Sequence, residues 1–159
     1  MLLVQEILGD ASEPRFAGRR VERLPVDSAS AAKRRLRLET DAGSDIAVDL
    51  ERGAYLRDGA VLFDDGERIV VVDRTPESAL VVRLAPGPDL VAQAVRLGHA
   101  FGNQHVPVEV EGNEIRVPVT TSREIAEQTV RALGLDTIEL RFADLPLGRE
   151  RPLARGHGH

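Results

Sequence analysis

Four histidines, His99, His105, His157 and His159, are the side chains of this 159-residue chain best suited to hold a transition metal. Neutral imidazole is a good donor for nickel, copper and zinc. The chain has no cysteine, which removes thiolate metal sites, disulfides and a cysteine nucleophile together. His157 and His159 stand two apart in the glycine-containing ending RGHGH, a spacing that lets both rings approach one ion. His105 lies in GNQHVP, residues 102–107. A lone imidazole beside a helix end also serves as a cap or as a carbonyl-bonded ring, so residue type alone leaves two readings of His105. His99, on the polar side of the same predicted helix with Ala92 and Arg96, is expected to be a surface residue.

Catalysis has little to stand on. No G-x-S-x-G, P-loop or H-E-x-x-H string occurs, and Ser122 fits the entry to a helix. The many carboxylates fall in turn and surface contexts. Asp64, Asp65 and Glu67 lack the alternating ligands and central glycine of a calcium loop and read as a turn. No enzymatic activity is expected.

The elements that position these residues are legible from periodicity. Leu90, Ala94, Leu97 and Phe101 recur at helical spacing, with Val91 and Val95 widening the apolar stripe, which predicts a helix over 90–101. Gly102 and Asn103 are expected to end it in the left-handed conformation, leaving His105 just past the helix, and Pro107 blocks its continuation. Strands are predicted at 80–84, 106–110, 115–119 and 138–142. A second helix is predicted to open on a Thr121/Glu124 capping box and stop at Gly134, with Ile125, Ala126, Thr129, Ala132 and Leu133 on one face. The order β-α-β-β-α-β over residues 78–147 is the ferredoxin-like pattern.

The first half alternates with period two: Leu36 and Leu38, then Ile46, Val48 and Leu50, separated by turn signals at Asp41-Ala42-Gly43, Asp58-Gly59 and Asp65-Gly66. Residues 1–74 therefore read as a small all-β domain of about six strands, bounded by the polar, proline-containing segment 73–77. The chain as a whole is α+β. Residues 148–159 are polar and glycine-rich, and a flexible tail is expected there.

Composition sets further limits. With 42% apolar and 30% charged residues the profile is that of a soluble globular protein, and 3% aromatics with no tryptophan argue against a stacking platform for single-stranded nucleic acid. The net charge of −5 disfavours nucleic acid as the main partner. The N-terminal MLLVQEILGD has no basic residue before its apolar run, so neither a secretory leader nor a membrane segment is expected, and a cytoplasmic protein is. Charge is nonetheless segregated. Segment 15–37 carries eight basic residues against two acids, and segment 39–67 nine acids against two arginines. Complementary neighbouring strands explain this most simply. The alternative is a metal-free interaction module that binds an acidic protein or RNA through 15–37.

Three separated segments carry a resemblance to a known family. GNQHVP at 102–107 resembles the glycine-asparagine-arginine-histidine motif of the UreE-type urease accessory proteins, with Gln104 where arginine is commoner. KRRLRLET from Lys33, with LRDGAVLFDDG and RIVVV, is similar to the amino-terminal domain of that family, and the histidine-bearing tail completes the match. The resemblance implies a two-domain nickel metallochaperone that delivers Ni(II) to apo-urease, working with the family's GTPase partner. It implies a homodimer through the C-terminal domain in which two copies of His105 share one nickel, with His157 and His159 as added ligands. Zinc or copper would be accepted in nickel's place. Since metal binding competes with imidazole protonation, affinity is expected to fall as pH drops through the imidazole range.

Overall fold

A computed structural model describes residues 1–136 and 138–148. The chain divides into two compact units, Met1–Thr75 joined by Gly148, and Pro76–Leu147. The division falls inside the polar segment predicted as a boundary.

The first unit has seven strands: β1 (Leu2–Val4), β2 (Gly9–Asp10), β3 (Arg20–Val26), β4 (Arg35–Glu39), β5 (Asp45–Asp49), β6 (Ala60–Asp64) and β7 (Arg68–Arg74). They form two sheets, ordered β1-β5-β4 and β2-β6-β7-β3. Their facing apolar sides close a core of Leu24, Val26, Ile46, Val48, Leu56, Leu62, Val70 and Val72. The all-β expectation is modified by one 3-10 turn at Pro14–Phe16 and one short α-helix, α1 (Ser28–Ala31), which Asp27 caps by accepting from the Ser30 amide at 2.8 Å.

All three expected turns form, with Gly43, Gly59 and Gly66 at φ of 85°, 82° and 91°. Asp64 accepts from the Gly66 amide at 2.8 Å, and Asp65 accepts from those of Glu67 and Arg68 at 2.9 and 2.8 Å. These carboxylates build the turn between β6 and β7, as their sequence context suggested. Two buried charges are satisfied within this unit. Glu22 accepts from Arg68 at 2.7 Å and from the Thr40 hydroxyl at 3.1 Å. Arg74, 1% exposed, donates to the Tyr55 and Ser28 hydroxyls at 2.7 and 2.9 Å and to the Val26 carbonyl at 3.1 Å. Gly148 returns to this unit, where its carbonyl accepts from the Asp58 amide at 2.9 Å and any side chain on it would strike Arg74. That residue was expected to belong to the tail; residues 149–159 lie outside the described residues.

The second unit runs β8 (Pro76–Leu84), α2 (Leu90–Asn103), β9 (Glu109–Glu111), β10 (Glu114–Pro118), α3 (Arg123–Arg131) and β11 (Ile138–Pro146). Its antiparallel sheet has the order β11-β8-β10-β9. That is the ferredoxin-like arrangement: the last strand pairs with the first, and the two middle strands form the far hairpin. Leu80, Val82, Leu84, Ile115 and Val117 of the sheet bury against Leu97 and Phe101 of α2 and Ala126 and Val130 of α3.

Helix α3 corrects the sequence reading twice. Its cap is Ser122, whose hydroxyl accepts from the Ile125 amide at 3.2 Å, rather than Thr121. Its buried stripe is Ala126 and Val130 with Leu133 alongside, while Ile125 is 48% exposed. The start one residue later leaves Glu124 outside the reciprocal capping position and turns Ile125 outward. Gly134, at φ 61°, ends the helical segment as expected. Among the described residues no helix is long and apolar enough to cross a membrane.

Candidate metal centre

His105 is placed by the way α2 ends. The helix continues through Gly102 and Asn103, two residues beyond the expected stop, and neither takes the left-handed conformation. His105 takes it instead, at φ 58°, the one non-glycine residue with positive φ among those described. The amide of His105 donates to the Gly102 carbonyl at 3.0 Å and that of Val106 to the Phe101 carbonyl at 3.0 Å. This is the helix terminus in which glycine normally occupies the left-handed position. The apolar pattern decides where the reversal falls. The residue after it folds back on the last turn, and only with His105 at the reversal is that residue Val106, which buries beside Phe101.

The position has chemical consequences. Left-handed backbone costs a residue with a Cβ about 1 kcal/mol relative to glycine, and histidine is among the side chains that tolerate it. The imidazole is exposed, beyond the C-terminal end of a 14-residue helix, whose negative partial charge favours a nearby cation. Val106 and Phe101 anchor the backbone beneath it.

Of the other histidines, the described residues include His99 alone. His99 is exposed on α2, its Nε2 3.2 Å from the Asn103 Nδ2, the surface role expected of it. His157 and His159 lie outside the described residues. Among the described residues no group of three or more histidine and carboxylate side chains is placed to hold a metal. Among the described residues, one chain offers the single imidazole of residue 105 at this place.

One feature of α2 was misread from the sequence. Val91 and Val95, expected to widen the buried stripe, are 73% and 65% exposed. Spacing of four, three and four residues continues their line through Gly98 to Gly102, and a side chain at either glycine would meet nothing within 4 Å. A groove of about 500 Å³ runs beside it, lined by Val91, Val95, Gly98, Val108, Val110 and Ile115 among others. The sequence signal was the stripe's width, since one sheet covers only part of a helix's circumference.

A two-unit α+β protein, whose ferredoxin-like half ends a helix in an exposed, conformationally strained histidine, is thereby defined as a class. The sequence comparisons give it a family. Residues 4–73 match the UreE urease accessory protein, N-terminal domain, and residues 77–159 the C-terminal domain of the same family. The chain belongs to the UreE urease accessory protein family. It is 39% identical over 127 residues to the urease accessory protein UreE of Natronomonas pharaonis, an alignment covering 79% of this chain and 59% of that relative. It is 35% identical to urease accessory protein UreE 1 of Pseudomonas syringae pv. tomato, covering 75% and 84% of the two. With UreE of Yersinia bercovieri the identity is 30% over 155 residues, covering 90% and 68%.

Proposed function

We propose that this chain is a nickel metallochaperone for urease maturation, holding Ni(II) between the His105 rings of two copies related by a two-fold axis. The observation that carries this reading is the strained, solvent-facing His105 at the end of a helix whose apolar stripe is uncovered. A two-fold contact along Val91, Val95, Gly98 and Gly102 repeats every residue of α2 across the axis, so one imidazole per chain becomes a pair. The glycines allow the two backbones to approach closely. His157 and His159 then complete the coordination from the tail, which requires no further ligand in the folded units.

Release follows from the same sparse ligation. A nickel bridged by two neutral imidazoles and completed by exchangeable ligands has open positions for the donors of a receiving site. The receiving protein is apo-urease, assisted by the urease accessory GTPase, and the cytoplasm is where such a transfer is placed. Zinc and copper are competing cargoes on the same donors. The carrier needs no catalytic group of its own.

The alternative, a metal-free module acting through the basic segment 15–37, is weakened by the ion pairs of that segment. Arg35 and Arg34 lie 3.1 and 3.5 Å from Asp49, Arg37 lies 2.5 Å from Asp45, Arg19 3.0 Å from Asp64, and Arg15 2.7 Å from Glu13. Five of its eight basic residues are thus paired within their own unit. Equilibrium dialysis with nickel separates the two readings: the native protein retains a tight site that His105→Ala loses, whereas a metal-free module shows no tight site in either.

A further inference from the structure

Resting on the assignment of His105 as the nickel donor, we infer that Gln104 and Thr129 form a positioning pair that fixes the His105 turn for metal binding. The Gln104 side-chain amide donates to the Thr129 hydroxyl at 3.0 Å, and that hydroxyl donates onward to the Ile125 carbonyl at 3.1 Å. The second bond orients the hydroxyl, so that a lone pair of Thr129 faces Gln104. A residue adjacent to the donor histidine is in this way tied to α3, a helix that itself carries no histidine.

The polar side of α2 is tied to the α3 segment in antiparallel order. Gln93 donates to the Asp136 carbonyl at 3.0 Å and Arg96 to the Leu133 carbonyl at 2.6 Å. Those two bonds act on the helix body, two and three turns before His105. Gln104 alone acts on the residue that precedes the left-handed turn. That turn is inherently unfavourable for a side-chain-bearing residue, so its geometry depends on neighbouring restraints. Backbone bonds to Gly102 and Phe101 restrain it from within α2, and Gln104 restrains it from α3. A shared two-ring clamp magnifies any looseness, because symmetry displaces both donors at once. Thr129 never touches the metal; it acts through Gln104 on the ring's position.

The test is isothermal titration of the full-length dimer with nickel, in Thr129→Val, Thr129→Ser, Gln104→Ala and the Gln104→Ala/Thr129→Val double variant, beside His105→Ala. Thr129→Val keeps the side-chain volume and loses the hydroxyl; it and Gln104→Ala each weaken the tight site about tenfold. Thr129→Ser restores it, and the double variant is no weaker than either single, since both remove one link. Sedimentation shows a dimer throughout. Wild-type affinity in Thr129→Val, additive losses in the double variant, or failure of Thr129→Ser to rescue overturns the pairing while leaving His105 as donor. Retention of the tight site in His105→Ala overturns the underlying assignment and the pairing with it.

Discussion

The amide of Val106 donates to the carbonyl of Phe101 at 3.0 Å, and with the bond from the His105 amide to Gly102 it closes α2 around a histidine in a backbone conformation that suits glycine. Burial of Val106 on Phe101 sustains the closure, and the imidazole of His105 is left facing solvent. Strain at a side chain with metal-binding chemistry is where stability and function are expected to oppose each other.

His105→Gly relieves the left-handed strain and removes the donor. It is expected to raise the melting temperature of the C-terminal unit by about 4–8 °C, corresponding to about 1 kcal/mol in a unit of this size, while abolishing tight nickel binding. His105→Ala loses the nickel without the gain. Calorimetric melting beside metal titration reads both; a His105→Gly protein that melts below the native one contradicts the strain.

The uncovered stripe of α2 carries the second prediction. Val95→Asp places a charge on a side chain 65% exposed in the single chain, at no internal cost, yet in the middle of the proposed two-fold contact. The variant is expected to fold normally and sediment as a monomer, with nickel affinity reduced at least tenfold because each ring has lost its symmetric partner. A dimeric Val95→Asp protein rules out this face as the contact.

Much of this arrangement was readable in the sequence, and its failures have physical causes. Leu97 and Phe101 were placed in the core by helical spacing alone, and the Asp-Gly pairs named their turns because glycine accepts positive φ. Periodicity cannot tell a stripe covered within the chain from one left exposed, so helical spacing places Val91 and Val95 in the core, where the structure does not. The end of α2 was assigned to Gly102 and Asn103 by residue type. Val106 decided it instead, because only a reversal at His105 lets an apolar residue close on Phe101. In the first unit, the parallel pairings of β1 with β5 and β3 with β7 join segments distant in sequence, for which local patterning holds no signal.

Stability in acid tests the buried network of the first unit. The Ser44 hydroxyl, then the Arg68 guanidinium and the Thr40 hydroxyl, hold the Glu22 carboxyl below the usual carboxylate value of 4.5. The folded pKa being the lower, the stabilisation is fully present above that ordinary value and is lost as pH falls through the depressed one. Urea unfolding at neutral pH and near pH 3 should show Glu22→Gln clearly less stable than native at neutral pH, with the gap narrowing in acid. An undiminished gap near pH 3 contradicts the role given to the Glu22 charge.

Nickel binding carries its own pH dependence. The ion takes the neutral imidazole, so protons compete with it and affinity is expected to fall between neutral and mildly acid solution. The fall should be steep, because at least two rings must be deprotonated for each ion bound. Affinity independent of pH over that interval means the donors are not histidines.

Stoichiometry tests the central claim most directly. Titrating the native protein with nickel, at concentrations where sedimentation gives its mass, is expected to show one tight ion for every two chains, and none in His105→Ala. One tight ion held by each separate monomer, or a tight site that survives His105→Ala, contradicts the shared clamp.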